Sequence, residues 1–294
     1  MNPTVAFIGL GVIGFPIAAH LAQHGHHLRV YNRSPAKSYA WQQSYPGQAV
    51  TDIATAVSGV DFVISCVGND ADLRQIGLGP HGIFAHIKPN AIWIDHTTAS
   101  ADIAQEFAHT AQQHQAHFLD APVSGGQSGA QQGILTIMVG GDAAIFARAE
   151  AILRHYAKAV THIGASGSGQ LAKMVNQIAI AGLLQSLSEA IHFGQHAGLD
   201  MSLVLGVLRH GAAQSWQMEQ RGNTMIAGEF DFGFAVDWMR KDLGLCLAEA
   251  RRNGASLPVA ALVDQFYAEV QQLGGHRWDT SSLIARLSTP RSRA

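Results

Sequence analysis

The chain has 294 residues, 47% of them hydrophobic and 14% charged, with a formal net charge of −2. That length accommodates two domains, and the near-neutral balance excludes nucleic acid as the main partner, because phosphate binding needs a concentrated basic surface. So low a charge favours burying apolar surface between subunits, which points to a homodimer or homotetramer.

The opening MNPTVAFIGLGVIG has no basic leader and enters a strand-like run directly, so no signal peptide is expected. Cys66 and Cys246 are isolated thiols without CxxC spacing, which fits a reducing, cytoplasmic setting. Strands are predicted over 4–8, 28–31, 62–67, 91–95 and 117–119, with helices over 17–24, 35–43 and 100–113 among them. This alternation implies an α/β domain on a mostly parallel sheet covered on both faces. Runs at 135–139 and 160–163, around a helix over 143–155, extend the sheet. The Gly/Ser-rich stretch 164–169 marks a boundary between one domain over 1–164 and a second over 165–294. Beyond it the period is helical, broken at Gly198, Gly211, residues 228–233 and Pro258. The apolar stretch 171–193 carries Lys173, Asn176, Gln177, Gln185 and Glu189, which suits a buried helix and no membrane span. The end, 288–294, is polar and expected to fray.

Gly9, Leu10, Gly11, Val12, Ile13 and Gly14 spell GxGxxG between a strand and an apolar helix. The first glycine permits a tight turn, the second lets backbone approach a pyrophosphate, and the third lets helix pack on strand. A dinucleotide cofactor is therefore expected. No acidic residue precedes Asp52, so the carboxylate that accepts from the ribose hydroxyls of NAD is missing. Asn32, Arg33 and Ser34 stand there instead. Arg33 can pair with a 2′-phosphate or stack on adenine, and Ser34 can donate to that phosphate. NADP(H) is preferred on these grounds, with NAD(H) as the alternative.

Further on, Ser124 is followed by Gly125 and Gly126, whose unobstructed N–H groups suit a carboxylate. Lys173 is a lone ammonium, with no other Lys or Arg between Lys158 and Arg209 and no Asp or Glu between Glu150 and Glu189. A charge in apolar surroundings is costly unless something uses it. Asn176 and Gln177, three and four residues on, can share its helix face. Lys241 sits in Arg240-Lys241-Asp242, which by itself reads as a solvated helix face. The 16 histidines contain no HExxH and no ligand-spaced pair, so no metal site is expected.

In order, GLGVIGFPIAAHL, DHTTAS, DAPVSGG with GILTIMVGGD, GQLAKMVNQ and RKDLGLCLAEA resemble the β-hydroxyacid dehydrogenases. That family includes 3-hydroxyisobutyrate dehydrogenase, tartronate semialdehyde reductase and glyoxylate/succinic semialdehyde reductase, and is distantly related to 6-phosphogluconate dehydrogenase. The resemblance runs from Thr4 to about Leu287. It implies an N-terminal Rossmann domain joined by a long interdomain helix to an all-α C-terminal domain. It also implies hydride transfer between NADP(H) and a short β-hydroxy acid or its semialdehyde. The cofactor would meet residues 9–14, Asn32, Arg33, Ser34, Val67, Gly68 and Thr98, and Ser124, Gly125 and Gly126 would hold the substrate carboxylate. Lys173 would be the general acid/base with Asn176 and Gln177 beside it, and Lys241 would meet cofactor and substrate. Ile13 replaces a common Met, Gly68 a frequent Pro and Ile134 a Thr, and Trp216 adds bulk, so the substrate within the family stays open. An imine reductase shares the fold, but such enzymes usually lack this lysine and the Ser-Gly-Gly cradle. A non-catalytic dinucleotide-binding scaffold would typically have lost the lysine.

Overall fold

Short apolar runs set between helical segments build one sheet in the first half of the chain. The computed structural model describes residues 2–288. Its strands are β1 (Thr4–Ile8), β2 (His27–Tyr31), β3 (Gln48–Ala49), β4 (Phe62–Ser65) and β5 (Ile92–Asp95). They continue with β6 (His117–Asp120), β7 (Val123–Ser124), β8 (Leu135–Gly140) and β9 (Ala157–Gly164). The order across the sheet is β3-β2-β1-β4-β5-β6-β8-β7, with β9 against β8. The first six strands are parallel, as the sequence pattern implies, and β8 joins β6 antiparallel. Chain order reverses at β1, and in such sheets ligands bind beyond the carboxyl ends of the strands at that point.

The central strands β4 and β5 are buried along their whole length, which is why they read as continuous apolar runs rather than alternating ones. Phe7, Ile17, Leu21, Trp41, Ile64 and Tyr156 fill one side, and Ile8, Val63, Trp93, Phe107 and Phe118 the other. β4 ends at Ser65 rather than at the expected 67, because the Val67 N–H donates to Thr97 Oγ1 at 3.0 Å instead of joining a ladder. A short helix, Gly126–Gln132, follows Ser124 without an apolar period to announce it. Gly125 (φ +127°) turns the chain into it and Gly133 (φ +69°) ends it.

Ser168 opens a single helix that runs to His196. The chain divides into two compact units, Met1–Lys173 and Met174–Ala294, and the division falls inside this helix. The second unit is largely helical, with Met201–Leu208, Trp216–Ala227, Val236–Asn253, Pro258–Gln272 and Ala285–Ser288. Asp200 and Ser215 cap two of these helices through their side chains, Pro258 opens a third, and Gly228 and Gly254 close two in the left-handed region. Its interior is one cluster around Leu184, Met239, Leu243 and Tyr267 and another around Ile191, Leu205, Met225 and Phe230. Among the described residues no helix is long and apolar enough to cross a membrane. Of the polar end, residues 289–294 lie outside the described residues.

Candidate active site

The chain leaves β1 through the glycine turn. Gly9 has φ +96°, and a Cβ on it would lie 2.2 Å from the Cys66 carbonyl oxygen. A Cβ on Gly14 would lie 2.0 Å from the Gly9 carbonyl oxygen. Packing therefore demands both glycines. Gly11 differs, since a Cβ there meets nothing within 4 Å. The helix that follows, Gly14–Gln23, has no side-chain cap and no acidic residue in its first turn, so its positive end is left for an anion. An open glycine beside an uncapped helix start fits a dinucleotide pyrophosphate. Asn32 braces this turn. Its Oδ1 accepts from the Leu10 N–H at 2.8 Å and its Nδ2 donates to the Ser34 carbonyl oxygen at 3.1 Å. Arg33 pairs with Asp72 at 3.1 Å, and its side chain stays 77% exposed.

The carboxyl ends of β5 and β6 place Asp95 and Asp120 as register partners, and both are buried. Asp95 Oδ1 accepts from Ser65 Oγ at 2.6 Å and Thr97 Oγ1 at 2.7 Å, and Ser65 Oγ accepts from Trp93 Nε1 at 2.8 Å. Desolvation outweighs these hydrogen bonds and pushes the Asp95 carboxyl up to about 7. The adjacent His96 is also buried, donating from Nδ1 to the Ala121 carbonyl oxygen at 2.6 Å and accepting at Nε2 from the Tyr156 hydroxyl at 2.9 Å. Desolvation lowers its imidazole to about 4.

These two groups oppose each other over one pH window. A carboxyl raised from 3.8 to about 7 gives stability that is complete below pH 3.8 and lost as pH rises through 7. An imidazole lowered from 6.5 to about 4 gives stability that is complete above pH 6.5 and lost as pH falls through 4. Between about 4 and 6.5 the unfolded chain gains one proton at His96 and loses one at Asp95, and the slopes cancel. Asp95→Asn removes one side. The stability of that variant relative to wild type is expected to climb with pH across this window by about 1.4 kcal/mol per pH unit. Urea unfolding at several pH values checks this, and parallel curves for the two proteins would refute it.

Asp120 secures the start of the long helix. Its carboxylate accepts from the Gly167 N–H at 2.8 Å and the Gln170 N–H at 3.0 Å, while burial raises its pKa. The Gln170 side chain accepts from the Ala99 N–H at 3.0 Å and donates to the Thr97 carbonyl oxygen at 2.7 Å, so the peptides on both sides of Thr98 are bonded to it. Lys173, three residues on, is buried at 8% exposure. Ser124 is half-buried in β7 opposite Thr136 of β8, and Gly125 and Gly126 follow in exposed positions with φ +127° and +61°. A Cβ on Gly126 would meet nothing within 4 Å.

In the second unit a chain of polar contacts joins Asn176 to Lys241. Asn176 Nδ2 donates to Gln177 Oε1 at 2.8 Å, and Gln177 Nε2 donates to Asp242 Oδ2 at 2.6 Å. Lys241 Nζ pairs with Asp242 Oδ1 at 3.1 Å and lies 5.8 Å from the Trp238 ring centroid. Arg240-Lys241-Asp242 is thus no solvated face. Asp242 is 2% exposed, and Arg240 makes a two-point pair with Asp264 at 3.0 and 3.2 Å. Sequence reasoning passed over Asp242, although its helical spacing from Met239, Leu243 and Cys246 puts it on the apolar stripe. Among the described residues no group of three or more His, Cys, Asp or Glu could hold a metal ion.

The structure therefore brings residues 9–14, Asn32, the Val67 segment and the Thr98 loop to one end of the sheet. Arg33 takes no part in Asn32's bonds and pairs with Asp72 at the surface. Residues 4–164 match the family profile described as NAD binding domain of 6-phosphogluconate dehydrogenase. Residues 167–287 match the one described as NAD-binding of NADP-dependent 3-hydroxyisobutyrate dehydrogenase. An uncharacterized oxidoreductase of Shewanella frigidimarina is 57% identical over 98% of this chain and 99% of its own. The 2-hydroxy-3-oxopropionate reductase of Escherichia coli is 33% identical over 96% of each chain. A solved Mycobacterium tuberculosis 3-hydroxyisobutyrate dehydrogenase with L-serine superposes with a TM-score of 0.88 at 29% identity, covering 98% of this chain and 100% of its own.

Proposed function

Because the chain belongs to the β-hydroxyacid dehydrogenase family of NAD(P)-dependent oxidoreductases, we propose that it moves a hydride between NADP(H) and a short β-hydroxy acid or the matching semialdehyde. One observation carries the reading: a lysine at 8% exposure follows, by one helical turn, the glutamine that holds the Thr98 loop. The bound dinucleotide supplies the hydride in reduction and accepts it in oxidation. Residues 9–14 hold its pyrophosphate, Asn32, Arg33 and Ser34 its adenosine end, and Val67, Gly68 and Thr98 its nicotinamide side. Ser124, Gly125 and Gly126 bind the substrate carboxylate, and Lys241 adds a cation for the anionic ligands.

In reduction the Lys173 ammonium gives its proton to the carbonyl oxygen as hydride reaches the carbon, leaving an alcohol and a neutral amine. In oxidation the amine takes that hydroxyl proton back. Asn176 and Gln177 orient the lysine and the substrate hydroxyl. The Arg33–Asp72 pair is a surface ion pair of little worth to stability, so Arg33 is free to exchange Asp72 for a 2′-phosphate. In the second unit Phe193 (73% exposed), Leu203 (71%) and Val207 (72%) offer apolar area for a second copy, in keeping with the homo-oligomer read from composition.

Steady-state turnover with NADPH and NADH tests this on glyoxylate, succinic semialdehyde and tartronate semialdehyde, and in the oxidative direction on 3-hydroxyisobutyrate and serine. Turnover of at least one of these is expected, with kcat/KM higher for the phosphorylated cofactor. Arg33→Ala is expected to shrink that cofactor ratio about tenfold, or ~1.4 kcal/mol. A strong wild-type preference for NADH removes the role given to Arg33, and inactivity on all five compounds removes the substrate class.

A further inference from the structure

We propose that Gln170 is a positioning residue that ties the Thr98 loop to the helical turn carrying Lys173, so that the two hold one fixed spacing. The proposal rests on the reading above, in which Thr98 meets the nicotinamide and Lys173 moves the proton. Gln170 is 1% exposed, and both ends of its amide are used on backbone groups that flank Thr98. A core glutamine needs only to have its amide satisfied somewhere. This one bonds the carbonyl before Thr98 and the N–H after it, which fixes the peptides on either side of that single residue.

The bonds extend in both directions. Thr97 Oγ1 donates to Asp95 at 2.7 Å and accepts from the Val67 N–H at 3.0 Å, so the Val67–Gly68 segment is tied to the same loop. On the other side, Asp120 holds the Gly167 and Gln170 N–H groups at the helix start. There is no slack around that carboxylate, since a Cβ on Gly140 would lie 2.5 Å from Asp120 Oδ1 and one on Gly169 would lie 2.8 Å from Asp120 Oδ2. Gln170 and Lys173 are three residues apart in one α-helix, about 4.5 Å along a rigid rod. A displacement of the loop is therefore passed to the lysine, and misplacement of about 1 Å at reacting groups can cost ~10²-fold in rate.

Two variants test the latch. Gln170→Leu keeps most of the volume and removes both bonds. Gln170→Glu can donate to the Thr97 carbonyl only when protonated, and it serves alone if the leucine variant does not fold. The measurements are kcat, KM, the primary isotope effect with 4-deuterated NADPH, and amide hydrogen exchange over residues 97–99 and 171–173. For Gln170→Leu, kcat is expected to fall about 10–100-fold with KM for the carbonyl substrate within about threefold. The isotope effect on kcat rises, and exchange quickens in both segments together. Gln170→Glu regains activity as pH falls. A lowered melting temperature with kcat and isotope effect unchanged overturns the proposal, as does faster exchange confined to residues 97–99. If the wild type turns over none of the compounds, the functional reading fails, while exchange still decides whether the latch exists.

Discussion

Lys173→Ala is expected to lower kcat by about 10²–10⁴ while leaving the NADPH dissociation constant within about threefold. The proton that must reach or leave the substrate oxygen then has no positioned carrier, whereas the glycine turn proposed to hold the cofactor is untouched. Lys173→Arg is expected to be as inactive, because a guanidinium stays protonated and cannot take the hydroxyl proton in oxidation. Steady-state kinetics paired with a fluorescence titration of NADPH separates the two quantities. Wild-type kcat in the alanine variant would eliminate Lys173 as the acid/base. A parallel loss of NADPH binding would point instead to a structural role for the helix start.

The second large effect concerns the glycine turn and divides two residues that look equivalent. Gly9→Ala is expected to destabilise the protein by about 3 kcal/mol or more, because a non-glycine residue at φ +96° is strained and its Cβ would lie 2.2 Å from a backbone oxygen. Gly11→Ala has open space around it and is expected to stay within about 0.5 kcal/mol of wild type. Its penalty falls on the ligand. A methyl group in the path of the pyrophosphate is expected to raise the NADPH dissociation constant about tenfold or more, or ~1.4 kcal/mol. Thermal or urea unfolding in the absence of cofactor, alongside a binding titration, checks both halves. Equal destabilisation by the two substitutions would contradict this division of roles.

Features that depend on chain neighbours were legible in the sequence. The apolar run Val5-Ala6-Phe7-Ile8 and the glycines after it announce a strand and a turn, and the β–α alternation announces the parallel sheet. The partners of Asp95, Asp120, Gln170 and Asp242 were not legible. Each is a buried polar group whose bonds reach residues far away in the chain, such as Asp120 to Gly167 or Gln177 to Asp242. An aspartate at a strand end looks like the polar edge of the strand until a helix start is found against it. Asp242 between Lys241 and Leu243 looked solvated because adjacent cations normally mark a surface, and only its place on the apolar stripe argued otherwise. The helix Gly126–Gln132 escaped notice because Gly, Gln and Ser carry no apolar period, and left-handed glycines set its ends.

The polar chain from Asn176 to Asp242 has a direction. Asp242 accepts from the nitrogen of Gln177 and pairs with the Lys241 ammonium, so the oxygen of Gln177 is turned to Asn176. Asn176 must then present its nitrogen to Gln177, which turns its own oxygen to the far end. One buried carboxylate thereby dictates which way round two amides sit. The end of the series offered beyond Asn176 is an acceptor, matched to an ammonium or a hydroxyl and mismatched to another carbonyl. Replacing Asp242 with asparagine would keep the side-chain volume, remove the counter-charge of Lys241 and erase that polarity, since an amide at 242 can present either its oxygen or its nitrogen to Gln177.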